Sequence, residues 1–178
     1  MKNLFWTFFA LILLAGTSCQ DKQSTAELNE FKSREKLEEQ NKEIVRDVIS
    51  AIDDNNFDKL NELFSNDFGL KVPGLEIPMK KDDVFQAIKT HYASFPDWTH
   101  NIEDMIAEGD KVVVKIMQIG THKELYEGIS ATGKKITNPA IHIMTIVDGQ
   151  VKDWWGIEDN LGMMVQLGME LKPVENKK

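Results

Sequence analysis

An α+β fold, with helices gathered on one side of a curved antiparallel sheet, is predicted by the order in which hydrophobic periodicity changes along the chain. Before Pro96 apolar residues recur at helical spacing; after it they alternate with polar ones over long runs; near the end the helical spacing returns. Turn signals at EGD (108–110) and DG (148–149) fold the alternating region into hairpins. Such a sheet, closed over by helices, forms a cone-shaped barrel with an open mouth, and a concave apolar interior is the usual place for a small ligand.

The N-terminal segment precedes this domain. Within 178 residues, MKNLFWTFFALILLAGTSC carries Lys2, an apolar run from Leu4 to Gly16 and small residues before Cys19. That is the pattern of a secretory signal at 1–18, and the run is too short to span a bilayer. Cys19 is the only cysteine, so no disulfide forms within the chain. The stretch AGTSC resembles the lipobox of bacterial lipoproteins; that resemblance implies a lipidated Cys19 and an exported protein anchored to a membrane of the cell envelope. The other reading is a cleaved signal followed by a stray cysteine. Residues 19–36 are polar, with Leu28 and Phe31 as their only large apolar side chains, and read as a tether with partial helical character. The folded domain is expected at 37–172, with a short tail at 173–178.

The elements follow in order. Leu37, Ile44, Val45, Val48, Ile49 and Ile52 mark an amphipathic helix that ends near DDNN at 53–56. FDKLNELF is a second short helix. Pro73, Gly74 and Pro78 predict an irregular loop, and Asp82 or Asp83 caps a third helix through Val84, Phe85, Ile88 and Tyr92. The first hairpin lies in WTHNIEDMIAEGDKVVVKIMQIGTHK. The second lies in KKITNPAIHIMTIVDGQVKDWWGI, where Pro139 predicts a bulge or an edge position. A last helix, DNLGMMVQLGMEL, starts on an Asp or Asn cap, presents Leu161, Met164 and Val165 on one face, and stops before Pro173.

FPDW (95–98), IAEGDKVVVK (106–115), GTHKELYEGISATGKK (120–135), HIMTIVDGQVKDWWGIEDNLG (142–162) and QLG (166–168) together resemble the SnoaL-like polyketide cyclase or ester cyclase family of the nuclear transport factor 2-like superfamily. The likeness runs from about Asn41 to Glu170. It implies the cone-shaped α+β barrel, a homodimer formed through the outer face of the sheet, and ring closure by aldol chemistry with an acid/base residue inside the cone and no cofactor. The family places a histidine or acid where His142 stands, and an aspartate directly after the tryptophan at Trp155. Here that position is Gly156.

Imidazole is the side chain suited to abstracting a proton beside a carbonyl at neutral pH. By alternation His142, Met144 and Ile146 share one strand face, and Trp98, His100 and Ile102 share another. His142 is therefore the candidate base, with Trp98, His100, Met144 and Trp154 as candidate ligand contacts. For each histidine the plainer reading is a core residue satisfied by its neighbours. Asp153 is expected to face away from the cone, His122 to fix a turn, Tyr126 to stand on the rim, and Glu158 and Asp159 to serve the start of the last helix.

A formal net charge of −8 disfavours nucleic acid and anionic lipid surfaces, and removing the first 18 residues takes away only Lys2. The four histidines show neither HxH nor HExxH spacing, and no phosphate loop or nucleophile elbow occurs. Two readings follow. One is an ester cyclase or isomerase type of enzyme acting on a small carbonyl compound. The other is a lipid-anchored binding protein whose cone holds an apolar ligand or a peptide without turnover.

Overall fold

A computed structural model describes residues 3–170 apart from 75, together with 172, with side chains from residue 24 onward. The side chains of the expected signal segment and of Cys19, and the tail at 173–178, lie outside the described residues. Helix α1 (Asn3–Asp53) is followed by α2 (Phe57–Leu63), β1 (Phe64–Lys71), α3 (Lys81–Ser94), β2 (Thr99–Glu108), β3 (Lys111–Thr121), β4 (Lys135–Val147), β5 (Gln150–Glu158) and α4 (Asn160–Leu167). The five strands form one sheet in the order β1-β5-β4-β3-β2. The α+β architecture is as the sequence predicts.

Four strands run antiparallel, and β1 adds to the edge parallel to β5, so the sheet is mixed. Strand β1 lies where an irregular loop was expected. Its first residue, Phe64, also completed the helical pattern of FDKLNELF, but Phe64 and Phe68 stack fully buried against the sheet and draw the segment into the core. The segment expected to be a tether is helical, because α1 runs unbroken through it, while Leu28 and Phe31 stay exposed. Leu37, too, is exposed; the buried face of α1 begins at Asn41 and continues through Val45, Val48, Ile49 and Ile52.

The hairpin turns form where the sequence places them. Asp148 and Gly149 both take positive φ (50° and 78°), the geometry of a tight two-residue turn matched to strand twist. No bulge forms at Pro139. It pairs with Met117 on one side and lies just beyond the last β4–β5 pair, Ala140 with Glu158, so its missing N–H falls where no strand asks for one. In α4 the expected face is corrected: Met163 and Leu167 are buried, while Leu161 and Val165 are exposed. Asp159 caps this helix, accepting from Gly162 N at 2.8 Å, and α3 is closed by Asp83, which accepts from Lys80 N at 3.0 Å.

Two apolar clusters fill the cone. The larger joins α1, α2 and α3 to the inner face of the sheet; the smaller, around Phe95, Trp98, Ile136, Met163 and Leu167, closes the other end. Between them the packing leaves a cavity.

Candidate active site

The cavity has a volume of about 430 Å³ and is lined largely by apolar side chains, among them Ile52, Leu70, Val84, Trp98 and Trp154. Set into that wall are His91, His100, His142, Gln118, Tyr92, Tyr126 and Glu158. Histidine and glutamate set into the wall of a largely apolar cleft are groups that proton-transfer chemistry can use.

Residues 154, 156 and 158 of β5 point to the same side of the sheet, toward the cavity. Gly156 is paired across the ladder with His142. A Cβ at position 156 would lie 2.9 Å from His142 Cδ2 and 3.3 Å from Nε2, closer than packed atoms approach. The imidazole therefore occupies the space that a side chain at 156 would fill, edge-on to the Trp154 ring at a centroid separation of 5.0 Å. In this position His142 Nε2 stands 3.7 Å from Glu158 Oε1. The His142 side chain is 6% exposed and its Nδ1 is buried without a partner, which leaves Nε2 as the nitrogen able to exchange a proton.

Glu158 is held from its other side. Gln118 Nε2 donates to Oε1 at 3.2 Å, and Gln118 is itself fixed by Asn138 Nδ2, which donates to its Oε1 at 3.1 Å. Burial opposes ionisation of Glu158, but the His142 and Gln118 contacts outweigh it and hold the carboxyl below its ordinary value. The side chain is 37% exposed and lines the cavity, so part of that exposure opens onto the ligand space.

A second pair stands nearby. His100 Nδ1 meets Asp53 Oδ1 at 2.5 Å, and the same carboxylate accepts from Tyr92 Oη at 3.1 Å and from the His100 backbone N at 3.2 Å. His91 lines the same cavity and feels the charges of both Glu158 and His100. Its ring stacks on Phe95, meets Trp98 and Tyr126 edge-on, and leaves Nε2 buried without a partner. Burial pushes its pKa down to about 4; the Glu158 charge opposes that shift and the His100 charge adds to it.

This histidine predicts an acid-sensitive fold. Between pH 6.5 and 4 the unfolded chain binds a proton that folded His91 refuses, so stability falls as pH drops through that window, by at most about 3 kcal/mol. Urea unfolding at a series of pH values should show this slope in the wild type and a flatter one in His91→Phe. Equal slopes would place the acid sensitivity elsewhere.

Of the residues singled out from sequence, His142, Trp98, His100 and Trp154 line the cavity, and so does Tyr126. Met144 does not: it is fully buried in the larger core cluster, packed behind the cavity wall. Glu158 lines the cavity, where a helix-start role was expected, and Asp159 alone caps α4. His122 is buried in the β3–β4 connection, with its Nδ1 accepting from Thr132 N at 3.2 Å. Asp53, His91, Tyr92 and Gln118 were not singled out. Among the described residues no cluster of three or more His, Cys, Asp or Glu is arranged to hold a metal ion.

A family model for SnoaL-like polyketide cyclase matches residues 42–167. No curated protein matches the chain. Among solved structures, wild-type IdmH from Streptomyces antibioticus, a candidate polyketide cyclase, is similar with a TM-score of 0.67 and 25% identity, covering 72% of this chain and 99% of its own. A candidate SnoaL-like polyketide cyclase from Jannaschia sp. CCS1 has a TM-score of 0.69 at 22% identity, covering 76% and 96%. AclR from Streptomyces galilaeus, a candidate hydroxylase, has a TM-score of 0.68 at 20% identity, covering 74% and 97%. The last two likenesses speak to the fold, which carries more than one chemistry.

Proposed function

The chain belongs to the SnoaL-like polyketide cyclase family, and from that premise we propose that it is a cofactor-free acid/base enzyme of the ester cyclase type, acting on a small carbonyl compound with His142 as the base. The observation that carries this reading is the His142–Glu158 pair on the wall of an apolar cavity, assembled over Gly156. The family aspartate implied by resemblance is missing at 156, but a carboxylate stands two residues further along the same strand face. His142 Nε2 takes a proton from the carbon beside the substrate carbonyl, and the Glu158 carboxylate stabilises the imidazolium that forms. Return of that proton to a different atom completes an isomerisation or ring closure with no change in oxidation state.

Among the described residues, those lining the cavity include no lysine or arginine. That lining disfavours an anionic group on the part of the substrate that it holds, since a buried anion there would lack a fixed cationic partner.

The expectations for assembly and location belong to the same proposal. An apolar row of Ile106, Val113, Ile143 and Trp155 crosses four strands on the outer sheet face, in register, which suits pairing with a second copy. The lipobox-like AGTSC supports anchoring through Cys19 in the cell envelope.

The test is α-proton exchange into deuterated water, followed by NMR on β-diketones, β-keto esters and lactones. The expected result is exchange on at least one probe well above the protein-free rate. Binding of probes without exchange on any of them would instead support the non-catalytic binding protein.

A further inference from the structure

His142 and Glu158 account for one proton transfer, but an aldol ring closure needs two: one from carbon and one to oxygen. His100 lines the same cavity, with Asp53 bound behind it, and neither has a role in the first. Their strands place them suitably. His100 is paired in register with Gln118 of β3, and Gln118 is the residue that donates to Glu158. One strand thus separates the two histidine-bearing strands, β2 and β4, and a single amide spans the polar floor between them.

The local chemistry is that of an oriented imidazole. Asp53 receives Nδ1–H of His100, the His100 backbone N–H and the Tyr92 hydroxyl, so both carboxylate oxygens are engaged and the ring is fixed. With Nδ1 committed to Asp53, His100 exchanges protons with the cavity at Nε2. The side chains are 10% and 25% exposed for His100 and Asp53, so the pair is sheltered but reachable. Asp53 is also the last residue of α1, where a negative charge opposes the helix dipole. Helix stability does not explain an acid there; orienting His100 does.

We propose that His100, held by Asp53, is a second catalytic residue that delivers a proton to the substrate oxygen. This rests on the reading of His142 as the base. In the reaction the Cα–H bond breaks and its proton passes to His142 Nε2. The enolate carbon bonds to the second carbonyl carbon, and the π pair of that carbonyl becomes an alkoxide. The alkoxide takes the proton from His100 Nε2. The product is an isomer with one more C–C bond and one fewer C=O bond, and the two imidazoles reset by proton exchange with solvent through the cavity mouth.

Two reactions separate the roles. Deuterium exchange on a β-diketone needs removal of a proton from carbon, whereas cyclisation of a linear δ-diketone to its β-hydroxyketone needs delivery to oxygen as well. In His100→Gln, exchange is expected to fall a few-fold and cyclisation by about 10². Asp53→Asn, which keeps the side-chain shape, is expected to lower cyclisation more than exchange and to alter its pH–rate profile. Thermal melts of both variants check that the fold persists. Equal losses in the two reactions, or unchanged cyclisation in folded His100→Gln, overturn the assignment. Wild-type protein inactive in both reactions overturns the reading of His142 instead.

Discussion

His142→Ala is expected to slow α-proton exchange on a responsive β-diketone by about 10²–10⁴, the usual contribution of a positioned general base. The size follows from the site's construction. Nε2 is the nitrogen of His142 free to act, since Nδ1 is buried, and among the described residues no other base is paired with Glu158. Truncation removes the proton acceptor and also leaves the Glu158 carboxylate without the cation it would stabilise. His142→Gln keeps most of the volume beside Trp154 and separates chemistry from packing: it should melt near the wild type and still lose the exchange. If instead His142→Ala lowers stability while exchange is retained, His142 is a core histidine and the base lies elsewhere.

Phe95→Ala is expected to cost about 3–5 kcal/mol of stability, the range for deleting a buried aromatic ring. Phe95 is fully buried, and its ring stacks on His91 and His122 at 4.9 and 5.1 Å and meets Trp98 and Tyr126 at 5.1 Å. Three of those four partners line the cavity. The void would therefore loosen the wall as well as the core, and binding of apolar probes should weaken together with the urea midpoint. A loss below about 1 kcal/mol would mean that the neighbouring rings collapse into the space and that the cluster does not brace the site.

The fold was legible where a single physical signal dominated. Alternation over β2 to β5 and the Asp148–Gly149 turn admit few other arrangements, and the hairpins formed accordingly. Strand β1 was hidden because Phe57, Leu60, Leu63 and Phe64 share helical spacing, and only contact with the distant β5 decides where the helix stops. In α4 every apolar residue was a plausible inward position; which side faces the sheet depends on the docking angle.

The site divides in the same way. His142, Trp154 and Trp98 follow from strand alternation, and Glu158 was within reach of the same rule, being two residues beyond Gly156 and four beyond Trp154 on one face. Its place before a helix made capping the simpler explanation, although Asp159 performs that task. Asp53 was beyond local reading. It meets His100 across 47 positions of chain, and nothing in DDNN distinguishes it from its neighbour Asp54. Met144 shows the converse limit, because alternation gives the face of a residue but not its depth behind the cavity wall.

The central claim is that His142 and Glu158 work as one proton-transfer unit, and a double-mutant cycle on exchange rate tests it most directly. His142→Ala, Glu158→Gln and the double variant are compared with the wild type, with folding checked by thermal melts. Residues acting as a unit give strongly non-additive losses. The account predicts that Glu158→Gln alone slows exchange about tenfold or more, and that adding it to His142→Ala slows exchange no further. Losses that multiply in the double variant would contradict the account, showing two groups that act independently of one another.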